Sequence, residues 1–158
     1  EVMERTRAVK GVEELNAMRC AIHSCEMGMH EMKKMCVPGV TENDIWAVLH
    51  AENIKRGGEW IETRLLSSGQ RTNPWFQECG PRVIQNNEIL AFDTDLIGCY
   101  GICVDISRTW FIGNKNNITT KQKELYTEAF LQIKENTSII KPGINLKDLV
   151  FGGRQLAN

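Results

Sequence analysis

Apolar side chains at Val12, Leu15, Met18, Ala21, Ile22, Cys25 and Met29 recur at spacings of three and four, which predicts one long amphipathic helix over residues 10–35. Cys36, Val37, Pro38 and Gly39 end it. Thr41 to Asp44 then reads as a capping box ahead of Ile45, Val48, Leu49 and Ala51, a second helix that runs to about Arg56 and stops at Gly57 and Gly58. Beyond this the period changes from helical to extended. Residues 60–68 predict a strand, followed by a loop with Gly69, Asn73, Pro74, Gly80 and Pro81. The runs ILAFDTDLI and ICVDISRTWFI, joined by GCYG, predict a β-hairpin. From Thr120 the helical period returns through Leu125, Tyr126, Ala129, Phe130 and Ile133, and it ends at Lys141, Pro142 and Gly143.

The hairpin holds the conspicuous chemistry. Side chains alternate along a strand, so Asp93 and Asp95 share one face while Phe92 and Leu96 sit on the other. A turn centred on Cys99 or Tyr100 sets Asp105 of the return strand opposite Asp93 or Asp95. Three carboxylates gathered in this way repel one another and need protons or a cation. Oxygen ligands alone suit magnesium, calcium or manganese, and one imidazole added from elsewhere shifts the preference toward iron, cobalt or zinc. The competing reading is a set of solvated aspartates on an exposed strand. Aspartate is depleted in strands, and three of them among Phe, Leu, Ile and Val favour the cluster.

Composition narrows the class without naming a task. The 158 residues are 42% hydrophobic and 25% charged with net charge −1, as expected of an ordinary globular protein of about one domain. No basic run marks a nucleic-acid partner, no apolar stretch reaches a membrane span, and no secretory leader pattern opens the sequence, so a cytoplasmic protein is expected. Six cysteines without a CxxC pair read as reduced thiols. His23, His30 and His50 fall in the two first helices and read as surface or core residues rather than ligands. Neither Ser68 nor Ser107 has a histidine at triad spacing, which argues against a serine nucleophile.

The stops PGVTENDI at 38–45 and PGINLKDL at 142–149 lie 104 residues apart, each after a long helix and before a polar cap, Thr41 in one and Asn145 in the other. They suggest a duplicated helix, helix, strand and hairpin module. Residues 118–158 would begin the second copy and stop before its hairpin. Because the sequence opens at Glu1 and ends inside this pattern, a piece of a longer protein is expected.

This order of elements, with the PG-V-T-E stop, the Ser68-Gly69 strand end and the hairpin ending VDISRT, resembles the creatinase, prolidase and methionine aminopeptidase superfamily, the pita-bread fold. The resemblance covers nearly the whole chain and implies an α/β (α+β) architecture, with long helices on a curved, mostly antiparallel sheet. Residues 1–158 would form the N-terminal half of the catalytic domain and the start of its partner half. It also implies a divalent metal pair of iron, zinc or manganese, bound by Asp105 and by Asp93 or Asp95, with a histidine and two glutamates supplied from beyond residue 158, and a homodimer.

Two departures bear on the reaction. Peptidases of this superfamily carry a histidine after a proline in the loop that follows the SG strand, where this chain has Pro74 and Trp75. Two aspartates stand in FDTD, where the peptidases generally have one. Both departures, with LLSSG and TNPWFQECGP, are similar to the DddP-type dimethylsulfoniopropionate lyases of the same fold. That branch implies β-elimination on a sulfonium zwitterion, with Asp95 as general base and Asp93 able to exchange roles with it. Aromatic faces hold such a cation, and Trp75, Phe76 and Trp110 are the candidates. For Trp110 and Trp60 core packing is the stronger expectation. A metallopeptidase of the Xaa-Pro aminopeptidase, prolidase or creatinase type is the alternative.

Overall fold

The computed structural model describes residues 1–155 and divides into two units, residues 1–114 and residues from 115 onward. In the first unit a short helix α1 (Val2–Ala8) precedes α2 (Val12–Met35) and α3 (Glu42–Lys55). The sequence periodicity gave no sign of α1, none of whose residues is buried. Helix α2 packs on α3, with Gly28 against Leu49, and buries Ala21, Cys25, Gly28, Met29 and Met32, of which Ala21 lies against Gly98 and Cys25 against Thr94. A Cβ on Gly28 would come within 2.8 Å of Leu49 Cδ1, so glycine permits this crossing. The expected α2 face was too long, since Val12, Leu15 and Ile22 are exposed. In α3 the buried face is Ile45, Trp46, Leu49 and Asn53 together with Glu42 and Glu52, and Ala51 points outward. The capping box holds as read: Thr41 Oγ1 accepts from the Asp44 amide at 3.1 Å, and Asp44 Oδ2 accepts from the Thr41 amide at 2.8 Å.

Six short strands follow: β1 (Trp60–Ile61), β2 (Leu66–Ser68), β3 (Glu88–Phe92), β4 (Asp95–Ile97), β5 (Cys103–Asp105) and β6 (Arg108–Ile112). They form two antiparallel three-stranded sheets, ordered β1-β4-β5 and β2-β3-β6. Two expectations are corrected here. Residues 60–68 are not one strand, because β1 and β2 belong to different sheets. Each arm of the hairpin is likewise broken, at Asp93-Thr94 and at Ile106-Ser107, so that its tip lies in one sheet and its base in the other. Burial drives the break: Thr94 is fully buried, and its Oγ1 accepts from the Ile106 amide at 3.0 Å while lying within donating distance of the Ile106 and Val104 carbonyls. A hydroxyl there replaces ladder bonds that both arms lose. Leu66, Ile84, Leu90, Phe92, Leu96 and Ile112 fill the core between these strands and the helices.

The second unit contains α4 (Thr120–Ile139) and α5 (Leu146–Gly152). Gly143, at φ +88°, turns the chain between them as Gly39, at φ +99°, does between α2 and α3. The amide of Asn145 donates to Asp148 Oδ2 at 3.2 Å, matching the Thr41–Asp44 arrangement. The predicted α4 face is present but uncovered, with Leu125, Tyr126, Phe130 and Ile133 all more than half exposed.

Candidate active site

The break in the hairpin brings the three aspartates together. Asp95 and Asp105 are direct partners across β4 and β5, which settles the register on a turn centred at Tyr100. Asp93, in the break, accepts from its neighbour Thr94 N at 3.0 Å and from Ser107 Oγ at 2.7 Å through the same Oδ1. Asp95 Oδ2 accepts from Thr63 Oγ1 at 2.8 Å. The Asp105 carboxyl is raised above its ordinary value, by partial desolvation first, then by the hydrogen bond its protonated form donates to Asp93, and by the charges of Asp93 and Asp95. Among the described residues no ion pair reaches any of the three. They therefore form an acidic patch that no ion pair among the described residues neutralises. Among the same residues, no group of three or more His, Cys, Asp and Glu is gathered closely enough to hold a metal ion on its own.

Segment 63–66 lies directly beside this patch. Besides the Thr63 bond to Asp95, the Leu65 carbonyl accepts from the Asp93 amide at 2.9 Å. On its other side the same segment receives the return of the loop that begins at Ser68: Leu65 bridges Glu78, and the Cys79 amide donates to the Arg64 carbonyl at 2.8 Å. Trp75 and Phe76 stand in that loop, with ring centroids 6.1 Å apart; Trp75 is half-buried, and Phe76 is exposed with φ +71°. Trp110 packs on buried Phe92 at 4.8 Å, as core packing requires, and Trp60 is exposed. His23 and His30 are exposed, while His50 stacks edge-on with Trp46 and is lowered in basicity by burial first and by Arg64 second. The six cysteines are all free.

Among the buried polar groups that sequence reasoning overlooked, Glu42 is a fully buried carboxylate. It accepts from Ser68 N at 2.8 Å, Ser68 Oγ at 2.7 Å, Gly80 N at 3.1 Å and Arg71. Its position at the start of α3 looked like routine helix capping. Only the fold reveals the loop that closes over it.

Residues 16–158 match metallopeptidase family M24. The chain belongs to metallopeptidase family M24. Within that family it is 56% identical over 154 residues to dimethylsulfoniopropionate lyase DddP of Roseovarius nubinhibens, an alignment of 94% of this chain and 34% of the relative. The lyase of the same description from Roseobacter denitrificans is 53% identical over 156 residues, again 94% of this chain and 34% of the relative. The chain thus spans about a third of the length of the curated relatives it matches. Among solved structures, prolidase from Pyrococcus furiosus superposes with a TM-score of 0.85 at 21% identity, over 94% of this chain and 43% of that one. At that identity the likeness concerns the fold, and the pita-bread architecture expected from the sequence is the one observed.

Proposed function

We propose that the protein carrying this chain is a metal-dependent lyase that cleaves dimethylsulfoniopropionate to dimethyl sulfide and acrylate. The observation that carries the reading is the identity above 50%, along nearly the whole chain, to two lyases so described. In this proposal residues 1–158 are the N-terminal half of the catalytic domain, with the second half starting at about 118.

The acidic patch is a suitable partial ligand set. Three clustered carboxylates, of which Asp105 is raised in proton affinity, with no ion pair to any of them among the described residues, suit a divalent pair of iron, zinc or manganese, with Asp105 and Asp93 as ligands from this chain and Asp95 close by, able to exchange roles with Asp93. Bound there, such a pair supplies Lewis acidity at the substrate carboxylate and so acidifies the adjoining carbon. Asp95 then takes the proton from that carbon, with Thr63 fixing one of its oxygens and so orienting the other. As the C–H electrons form the new double bond, the C–S bond breaks, its electron pair leaves with dimethyl sulfide, and acrylate remains. Trp75, backed by Phe76, offers an aromatic face to the sulfonium, worth up to about 2 kcal/mol when desolvated. Trp110 has the weaker claim to that role because it is already packed on Phe92.

The family and the prolidase-like fold keep Xaa-Pro hydrolysis as the second reading. Trp75 counts against it, because an indole cannot shuttle the proton that an imidazole would. A cytoplasmic homodimer acting on a small zwitterion, without nucleic-acid or membrane partners, completes the proposal; its six free thiols accord with a reducing compartment. No helix among the described residues is long and apolar enough to cross a membrane. Headspace detection of dimethyl sulfide, run beside Xaa-Pro dipeptide hydrolysis, tests the choice. Sulfide release without peptide turnover is expected, and the opposite pattern would restore the peptidase.

A further inference from the structure

A carboxylate with no access to water must be held by donors, and Glu42 is held by four. Their positions matter more than their number. Ser68 is the last residue of β2 and Gly80 lies just past the return of the loop, so Glu42 ties the two ends of residues 69–80 to one point at the start of α3. Arg71 reaches the same carboxylate from within the loop, and its other nitrogen donates to the Glu78 carbonyl at 2.7 Å. A second ion pair braces the first, since Arg82 donates to Ser68 Oγ at 2.6 Å and holds Glu88 through both guanidinium nitrogens at 2.8 and 2.5 Å.

Starting the helix does not require this carboxylate. In the parallel stop at residues 142–149 the corresponding position is Leu146, which is exposed, and α5 nevertheless starts there, with the Asn145 amide donating to Asp148 Oδ2. Glu42 therefore serves the loop. What the loop presents is Trp75 and Phe76, and it returns against Arg64 and Leu65, the segment whose other side bonds Asp93 and Asp95. We infer that Glu42, through Arg71, Ser68 and Gly80, is a positioning residue that fixes the Trp75 loop relative to the aspartates and thereby sets affinity for the cationic end of the substrate. The inference rests on the lyase reading for its substrate and on the structure alone for the latch.

The test uses the whole protein, comparing Glu42→Gln, Arg71→Gln, Trp75→Ala and the Arg71→Gln/Trp75→Ala double variant. Arg71 is partly exposed, so its variant keeps the test available should Glu42→Gln not fold. If the latch acts through Trp75, Arg71→Gln raises KM for dimethylsulfoniopropionate by about tenfold with kcat within about twofold, and the double variant is no worse than Trp75→Ala alone. An unchanged KM in Arg71→Gln, or KM losses that multiply in the double variant, would overturn it. Amide hydrogen exchange separates this from the substrate question. Exchange across residues 72–80 should quicken in Arg71→Gln whether or not the wild type releases sulfide, and unaltered exchange there would refute the latch even if the lyase reading stands.

Discussion

Single side chains fix the acidic groups of the hairpin: Ser107 Oγ donates to Asp93 Oδ1 at 2.7 Å and Thr63 Oγ1 to Asp95 Oδ2 at 2.8 Å. Asp93, Asp95 and Asp105 stood out because aspartate is rare between Phe, Leu, Ile and Val; alternation pointed to one patch, but it is the break in the hairpin, not strand alternation, that sets Asp93 beside the Asp95–Asp105 pair. Glu42 was illegible because a glutamate in the first turn of a helix is ordinary, and its donors come from positions 26 to 38 residues away. The Arg82–Glu88 pair, six residues apart across a loop with no regular period, gave no pattern to read, and it should contribute to stability. The Glu88 carboxyl lies below its ordinary value of 4.5, held there first by hydrogen bonds from Arg82, against opposition from burial. The native state therefore favours ionised Glu88. Its stabilisation is present above the unfolded value and is lost as the pH falls through the lower native value. The stability advantage of the wild type over Glu88→Gln should accordingly be full near neutrality and shrink on acidification below about pH 4.5. Denaturant melts at several pH values measure it, and a pH-independent difference would rule this account out.

At the scale of elements, helices were read more accurately than strands. Their limits follow from local signals: the Thr41–Asp44 cap, the positive-φ glycines at 39 and 143, and the three-and-four spacing. The strands depend on partners that lie far off in sequence, so a continuous apolar run such as ILAFDTDLI gave no warning that its two ends join different sheets. Thr94 is the pivot of that exchange. Replacing it by valine preserves shape but leaves the buried Ile106 amide without its acceptor, at a cost of about 1–3 kcal/mol. The midpoint of denaturant unfolding should fall accordingly, with Asp93 and Asp105 loosened together. Unaltered stability in Thr94→Val would mean that the break in the hairpin is held by something else.

In the whole molecule the acidic patch and the loop that carries Trp75 meet on opposite sides of segment 63–66, in a chain of metallopeptidase family M24. The two Pro-Gly stops from which the sequence suggested a duplication both turn at a positive-φ glycine, and in each the first cap amide donates to the carboxylate three residues on. Less visible was which apolar faces would be covered. The α4 face has the right period, yet its side chains are exposed, because periodicity specifies a face and not the surface that meets it. The central claim is that this chain contributes aspartate ligands to a divalent metal site, and elemental analysis of the whole protein tests it most directly. Wild-type protein should retain bound divalent metal after dialysis, and Asp105→Ala, with its folded state verified by circular dichroism, should lose most of it. Full metal occupancy in folded Asp105→Ala would contradict the claim.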